Sequence, residues 1–343
     1  MSRYAILALC AILLFAGGMM APDAEAQGQE AMANAHVAAA RAAAYRPWHD
    51  YSETFATMCR QPGETSTAPR APGRSHEPYG WYAEPTQVFD NLYYLGSSYG
   101  DNQAVWAVTT SEGIILIDSG YEYSVAGLVG DGLRKVGLDP NDIEYAILSH
   151  AHGDRYFGSK YLKETFNTRL IMSEADWDVM ARSSEPAELK PAKDMVATDG
   201  MKLTLGDTTL TLYITPGHTP GTISTLVPLK DGNATHLGYL LGGRGWSLER
   251  YEIQYYADEE EAIRTWIASI KRFNDIALRE GADVFLTIHP QHDRVFERLT
   301  ALKFRTPGGP HPFVGQEAIR NHTTIMIECM EAQSIWRAGG GSN

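Results

Sequence analysis

The chain has 343 residues, a formal net charge of −13, 44% hydrophobic and 21% charged residues, and 3 Cys. It is too apolar for a disordered chain and too poor in Cys for a disulfide-dense scaffold. The acidic balance excludes a phosphate-tracking nucleic-acid binder, which needs a basic stripe.

Residues 1–26 read as a secretory signal peptide: Arg3, an apolar run from Ala5 to Phe15, then small residues ending Ala24-Glu25-Ala26 before Gln27. The run is short for a membrane span, and Pro22, Asp23 and Glu25 close it. The expected product is periplasmic or secreted, with no membrane attachment after cleavage. Cys59 and Cys329 then remain, either as a disulfide or as two buried thiols. Residues 27–85 read as an N-terminal arm. It holds an Ala-rich helix over 30–45 with a weak apolar face, and a loop rich in Pro, Gly, Ser and Thr over 64–78.

The pattern sharpens at Val88. Strands are expected over 91–95, 104–109 and 113–118, then a helix over 124–136 closed by Gly137. A strand over 144–148 follows, then a helix over 160–166 and a strand over 169–172. Ser173 caps a helix over 174–182, and 185–193 is a Pro-broken loop. Residues 201–205 and 208–214 form a hairpin around Gly206-Asp207, followed by strands over 222–227 and 237–241. The clearest helix spans 258–280, with Ile263, Trp266, Ile267, Ile270 and Phe273 on one face. A strand over 283–288 and a last helix over 316–336 lead to a flexible tail, 339–343. This order predicts a layered α/β arrangement, two mixed sheets with helices outside, as one domain over 86–338. No G-x-G-x-x-G follows the first strand, so a dinucleotide fold is unsupported.

Four histidines and a carboxylate stand at strand ends. His150 and His152 lie two apart just past a strand, where alternate residues point the same way, and Asp154 continues the series. His218 sits in Thr215-Pro216-Gly217-His218-Thr219-Pro220-Gly221, a loop stiffened by two prolines and turned by two glycines. His289 follows another strand. Imidazole and carboxylate ligands without thiolate suit Zn²⁺, and less selectively Fe²⁺, Mn²⁺ or Co²⁺. Three protein ligands and an open position make a hydrolytic zinc site.

Ser149 to Asp154, the upstream Ile115-Leu116-Ile117-Asp118-Ser119-Gly120, and Thr215 to Gly221 resemble the metallo-β-lactamase-fold hydrolases. Within them the chain looks most like the third subclass of class B β-lactamases, through Asn91-Leu92-Tyr93-Tyr94-Leu95-Gly96, His289-Pro290 and His311-Pro312-Phe313-Val314. The resemblance implies a four-layer αβ/βα sandwich and a small-molecule substrate. His150, His152 and His218 would hold a first metal, Asp154 and His289 a second, and Asp118 would support the metal loop. Asp154 would be catalytic, orienting a zinc-bound hydroxide that opens an amide bond and then passing its proton to the leaving group.

The chain departs from that pattern at the second metal. The third subclass has His directly after the Asp, and this chain has Arg155. The first subclass supplies a Cys, and none occurs between Cys59 and Cys329. Glyoxalase-like and lactonase-like members use a bridging Asp where this chain has Leu240-Leu241-Gly242-Gly243-Arg244. His292 is the one replacement in view. One tight zinc and a weak or absent second are therefore expected. Arg155 or Arg244 could bind a substrate carboxylate, with a structural salt bridge as the alternative for each. Three functions fit: a β-lactamase-like amide hydrolase, a lactone, ester or thioester hydrolase with an incomplete second site, and a metal-binding protein without turnover. The sequence leaves the oligomeric state open.

Overall fold

The computed structural model describes residues 22–46, 49–64, 78–243 and 253–338. Most of the expected signal peptide, Arg244 and the tail 339–343 lie outside the described residues.

One sheet has seven strands in sequence order: β1 Thr86–Phe89, β2 Leu92–Tyr94, β3 Trp106–Thr110, β4 Gly113–Ile117, β5 Ile143–Ile147, β6 Arg169–Ser173 and β7 Met195–Ala197. β1 to β4 pair antiparallel, and β4 to β7 pair parallel. The second sheet is β8 Met201–Leu205, β9 Thr208–Ile214, β10 Ile223–Asp231, β11 Ala234–Leu241 and β12 Val284–Thr287, antiparallel except for β11 against β12.

Period-two alternation sorts the strand residues into two apolar layers. In β4, Ile115 and Ile117 face the second sheet, while Ile114 and Leu116 face helices on the outside. In β11, Leu240 points inward while Tyr239 and Leu241 point outward. β4 is covered on both faces, which is why it reads as the unbroken apolar run Ile114-Ile115-Leu116-Ile117. Outside the first sheet lie α3 Ser159–Phe166 and α4 Glu174–Arg182, whose Leu162, Phe166, Trp177 and Met180 meet Ala146 and Leu170. Outside the second lie α5 Glu259–Arg279 and α6 Gln316–Ala338. The result is the four-layer αβ/βα sandwich that the resemblance implied.

Three local expectations are revised. Residues 124–136 are not one helix but a π-helical turn, Ala126–Gly130, followed by a short α-helix, Asp131–Lys135. The Trp81 ring packs directly on Gly127, whose place a Cβ would fill at 2.8 Å from the ring. The edge strand β7 and the helix Val295–Lys303 have no counterpart in the sequence reading. The N-terminal segment is also better ordered than its pattern suggests. The helix Pro22–Ala44 packs against α6 through Ala40, Ala43 and Ala44, joined by Tyr51, Phe55 and Met58. An alanine face is only weakly apolar, yet it lets two helix backbones approach closely.

Cys59 and Cys329 form a disulfide, Cα–Cα 4.5 Å, that ties this segment to α6 across 270 residues of chain. Replacing both by Ser is expected to cost about 2–4 kcal/mol. Thermal melts of the double variant and of the reduced wild type should fall together; an unchanged midpoint would show that the bond holds nothing.

Candidate metal centre

Five loops converge where strands of the two sheets end: those after β4, β5, β9, β11 and β12. Backbone bonds lace them together, with Ile223 N–H donating to Ser149 O at 2.7 Å and Ala104 N–H to Ile288 O at 2.9 Å. The Trp106 indole N–H spans the sheets to Thr287 O, 2.9 Å.

His150, His152 and His218 meet at this edge, each offering a ligand atom within 4.8 Å of the others. Their rings stand nearly perpendicular in every pair, at 82–89°, with centroids 4.4–4.8 Å apart. His150 Nε2 and His218 Nε2 face each other at 3.2 Å. Two nitrogens bonded to one tetrahedral zinc at about 2.05 Å stand about 3.3 Å apart, so this pair has the spacing of co-ligands. His150 Nδ1 lies 2.8 Å from Gly242 O. A carbonyl only accepts, so Nδ1 carries the proton and Nε2 presents its lone pair. Burial, then the neighbouring imidazoles, hold the His150 and His218 pKa values well below the ordinary range, and burial lowers that of His152. All three rings are thus neutral, the form that binds a metal.

Asp154 lies beside the tripod, its side chain one-fifth exposed. Burial alone would raise its pKa. The Arg155 guanidinium and then His289 outweigh burial and hold the carboxyl well below the usual range. His289 donates Nδ1–H to Asn102 O at 2.7 Å. Asp154 and His289 act on the tripod electrostatically but are not part of the convergent triplet. His292 is buried, its ring 5.6 Å from that of His289 and its Nδ1 3.2 Å from Thr54 Oγ1.

Arg155 corrects the expectation of a substrate-binding arginine. Its side chain is 0% exposed. Nη1 donates to Asp118 Oδ2 at 3.2 Å and to Ile288 O at 2.7 Å, and Nη2 donates to Asp154 Oδ2. A guanidinium enclosed in this way offers nothing to a substrate; it is the salt bridge of the alternative reading. Asp118 is fully buried at φ 65°, a backbone region that non-glycine residues rarely adopt. It accepts from Ser149 N–H at 2.8 Å and Ser149 O–H at 3.0 Å, so it sets the start of the histidine loop. Burial pushes its pKa up to about 6 against the pull of Arg155.

Sequence reading missed Asp176. Its carboxylate accepts from Ala151 N–H at 2.9 Å, Thr219 O–H at 2.6 Å and Gly221 N–H at 2.7 Å. It therefore braces the His150–His152 loop against the His218 loop. The one signal was Ser173 three residues upstream, which caps Asp176 N–H and marks a helix start only. Asp176→Ala leaves the buried Ala151 and Gly221 N–H groups unpaired, each costing about 1–3 kcal/mol, while the Thr219 hydroxyl keeps Thr222 Oγ1 at 2.7 Å. Metal affinity, read by chelator competition, is expected to fall about 10- to 100-fold; unchanged affinity would refute the brace.

The sequence profile of the metallo-β-lactamase superfamily matches residues 99–234. The structure superposes on the FEZ-1 metallo-β-lactamase of Legionella gormanii with TM-score 0.64 and 25% identity, over 73% of this chain and 94% of that one. It superposes on BJP-1, a subclass B3 metallo-β-lactamase of Bradyrhizobium japonicum, with TM-score 0.62 and 29% identity, over 75% and 96%. The chain carries a metallo-β-lactamase superfamily domain. Among curated sequences it is 26% identical to an N-acyl homoserine lactonase of Bacillus cereus, over 54% of this chain and 80% of that protein. An N-acyl homoserine lactonase from Bacillus sp. gives 26% over 54% and 70%. The superfamily domain, the β-lactamase and lactonase relatives and the triplet of imidazoles together support a metal-dependent hydrolase.

Proposed function

We propose that this protein is an exported zinc hydrolase that opens a cyclic amide, a β-lactamase-like activity, with one tightly held zinc on His150, His152 and His218. The observation that carries it is the tripod of mutually perpendicular imidazoles, with His150 Nε2 and His218 Nε2 3.2 Å apart, beside the Asp154 carboxylate. Zinc held there would supply Lewis acidity and would lower the pKa of water to about 7. Arg155 occupies Asp154 Oδ2, which leaves Oδ1 to take a proton from the attacking water. Asp154 then delivers that proton to the leaving amide nitrogen as the ring opens.

Arg155 stands where the third subclass has a histidine, and it engages the carboxylate that would serve a second metal. A Cβ at Gly243 would lie 2.6 Å from His218 Cβ, so a carboxylate side chain there would push against a tripod histidine. Asp154 and His289 alone make a weak site. The signal-like N-terminus and the Cys59–Cys329 disulfide support an oxidising compartment outside the cytoplasm.

A second reading, lactone hydrolysis, is favoured by the two lactonase relatives and uses the same groups with an alkoxide leaving. The test is metal analysis and ring opening by the chain from Gln27, with a carbapenem and an acyl homoserine lactone as substrates. One zinc per chain and carbapenem opening are expected. Lactone opening alone selects the second reading, and two tightly held zinc ions overturn the single-metal site.

A further inference from the structure

A second cavity, about 760 Å³, lies between the helix Val295–Lys303, the segment 304–312 and Tyr51, and none of its lining residues belongs to the imidazole site. Its volume is that of a small-molecule site. One wall is apolar, with Ala301, Phe304, Pro310 and Pro312, and Phe304 is 82% exposed, unusual for a residue of its size.

The polar residues around it divide sharply. Arg305 makes a bidentate pair with Asp231, at 2.8 and 2.7 Å, and Arg298 donates to the Tyr51 hydroxyl at 3.2 Å. Asp293 lines the same cavity and is 0% exposed, yet neither carboxylate oxygen has a hydrogen-bond partner among the described residues. A buried carboxylate without partners is costly, and such a group calls for a ligand that completes it.

We propose that this cavity binds a small organic amine, its ammonium paired with Asp293 and its apolar body laid along Ala301, Phe304 and Pro312. A cation is the matching chemistry because a charge-assisted N–H to carboxylate bond is the strongest available to that group. The other charged groups of the lining are already engaged within the protein: Glu297 with Arg294 and the Tyr99 hydroxyl, Arg305 with Asp231, and Arg298 with the Tyr51 hydroxyl. Burial raises the Asp293 pKa to about 7, against the pull of Arg298. Its charge is therefore harder to form than that of an ordinary carboxylate, and a bound cation offsets that cost. The proposal stands apart from the hydrolase reading, since it shares no residue with it.

The experiment is calorimetric titration of the full chain at pH 8 with phenethylamine, and with 3-phenylpropionate as the anionic counterpart. Saturable 1:1 binding of the amine is expected, equal in zinc-loaded and chelator-treated protein. Asp293→Asn should weaken it at least 10-fold. Ala301→Trp, which fills the cavity and keeps the carboxylate, should abolish it and decides the matter if the first variant fails to fold. No saturable amine binding, equal binding of the anion, or binding untouched by either substitution would overturn the proposal.

Discussion

Asp154→Ala is expected to lower kcat by about 10²- to 10⁴-fold, the range of a lost general acid–base group. Zinc content should stay at its wild-type value. The two outcomes separate because the tripod consists of His150, His152 and His218, whereas Asp154 stands beside it. Arg155 keeps Asp118 and Ile288 O as partners in this variant, so the fold loses one contact of a network rather than the network. Steady-state turnover and metal analysis of the same preparation give both numbers. Loss of zinc together with activity would make Asp154 a ligand of the tight site and would refute the division of labour drawn above.

Arg155→Met is expected to cause the larger loss of stability. One guanidinium satisfies Asp118 Oδ2, Asp154 Oδ2 and the carbonyl that precedes His289. Removing it leaves two carboxylates near the core without their cation. Breaking a buried pair from one side costs about 3–5 kcal/mol, or roughly 6–15 °C in Tm for a chain of this size. Arg155→Lys should rescue little, because a point charge on a flexible stem cannot reach three acceptors at once. A melt within 2 °C of wild type for either variant, on the order of 1 kcal/mol or less, would show that the carboxylates find other partners.

Much of the sandwich was legible because its elements announce themselves locally. The hairpin around Gly206-Asp207 and the helix starting after Ser173 fall where turn chemistry and capping place them. The three histidines were legible because strand ends aim alternate side chains together. What escaped was non-local. Asp176 draws its donors from Ala151, Thr219 and Gly221, positions distant in sequence that only the fold brings to one carboxylate. Charge alone leaves Arg155 open between a substrate contact and a salt bridge, because burial cannot be seen in a residue type. The alanine helix at the N-terminus lacked a strong apolar face, and its packing depends on α6, whose first residue lies more than 270 positions later.

The two glycines after β11 carry a steric consequence. A Cβ at Gly242 would sit 1.6 Å from Ile223 O, and one at Gly243 2.6 Å from His218 Cβ. Any side chain at either position therefore requires the loop or its neighbours to move. Introducing a carboxylate at Gly243 alone would push against an imidazole of the tripod before any new ion could compensate. Under the single-zinc reading proposed above, a carboxylate at either glycine has to come with a remodelled loop, so local crowding adds to the lack of a ligand as a barrier to a second ion.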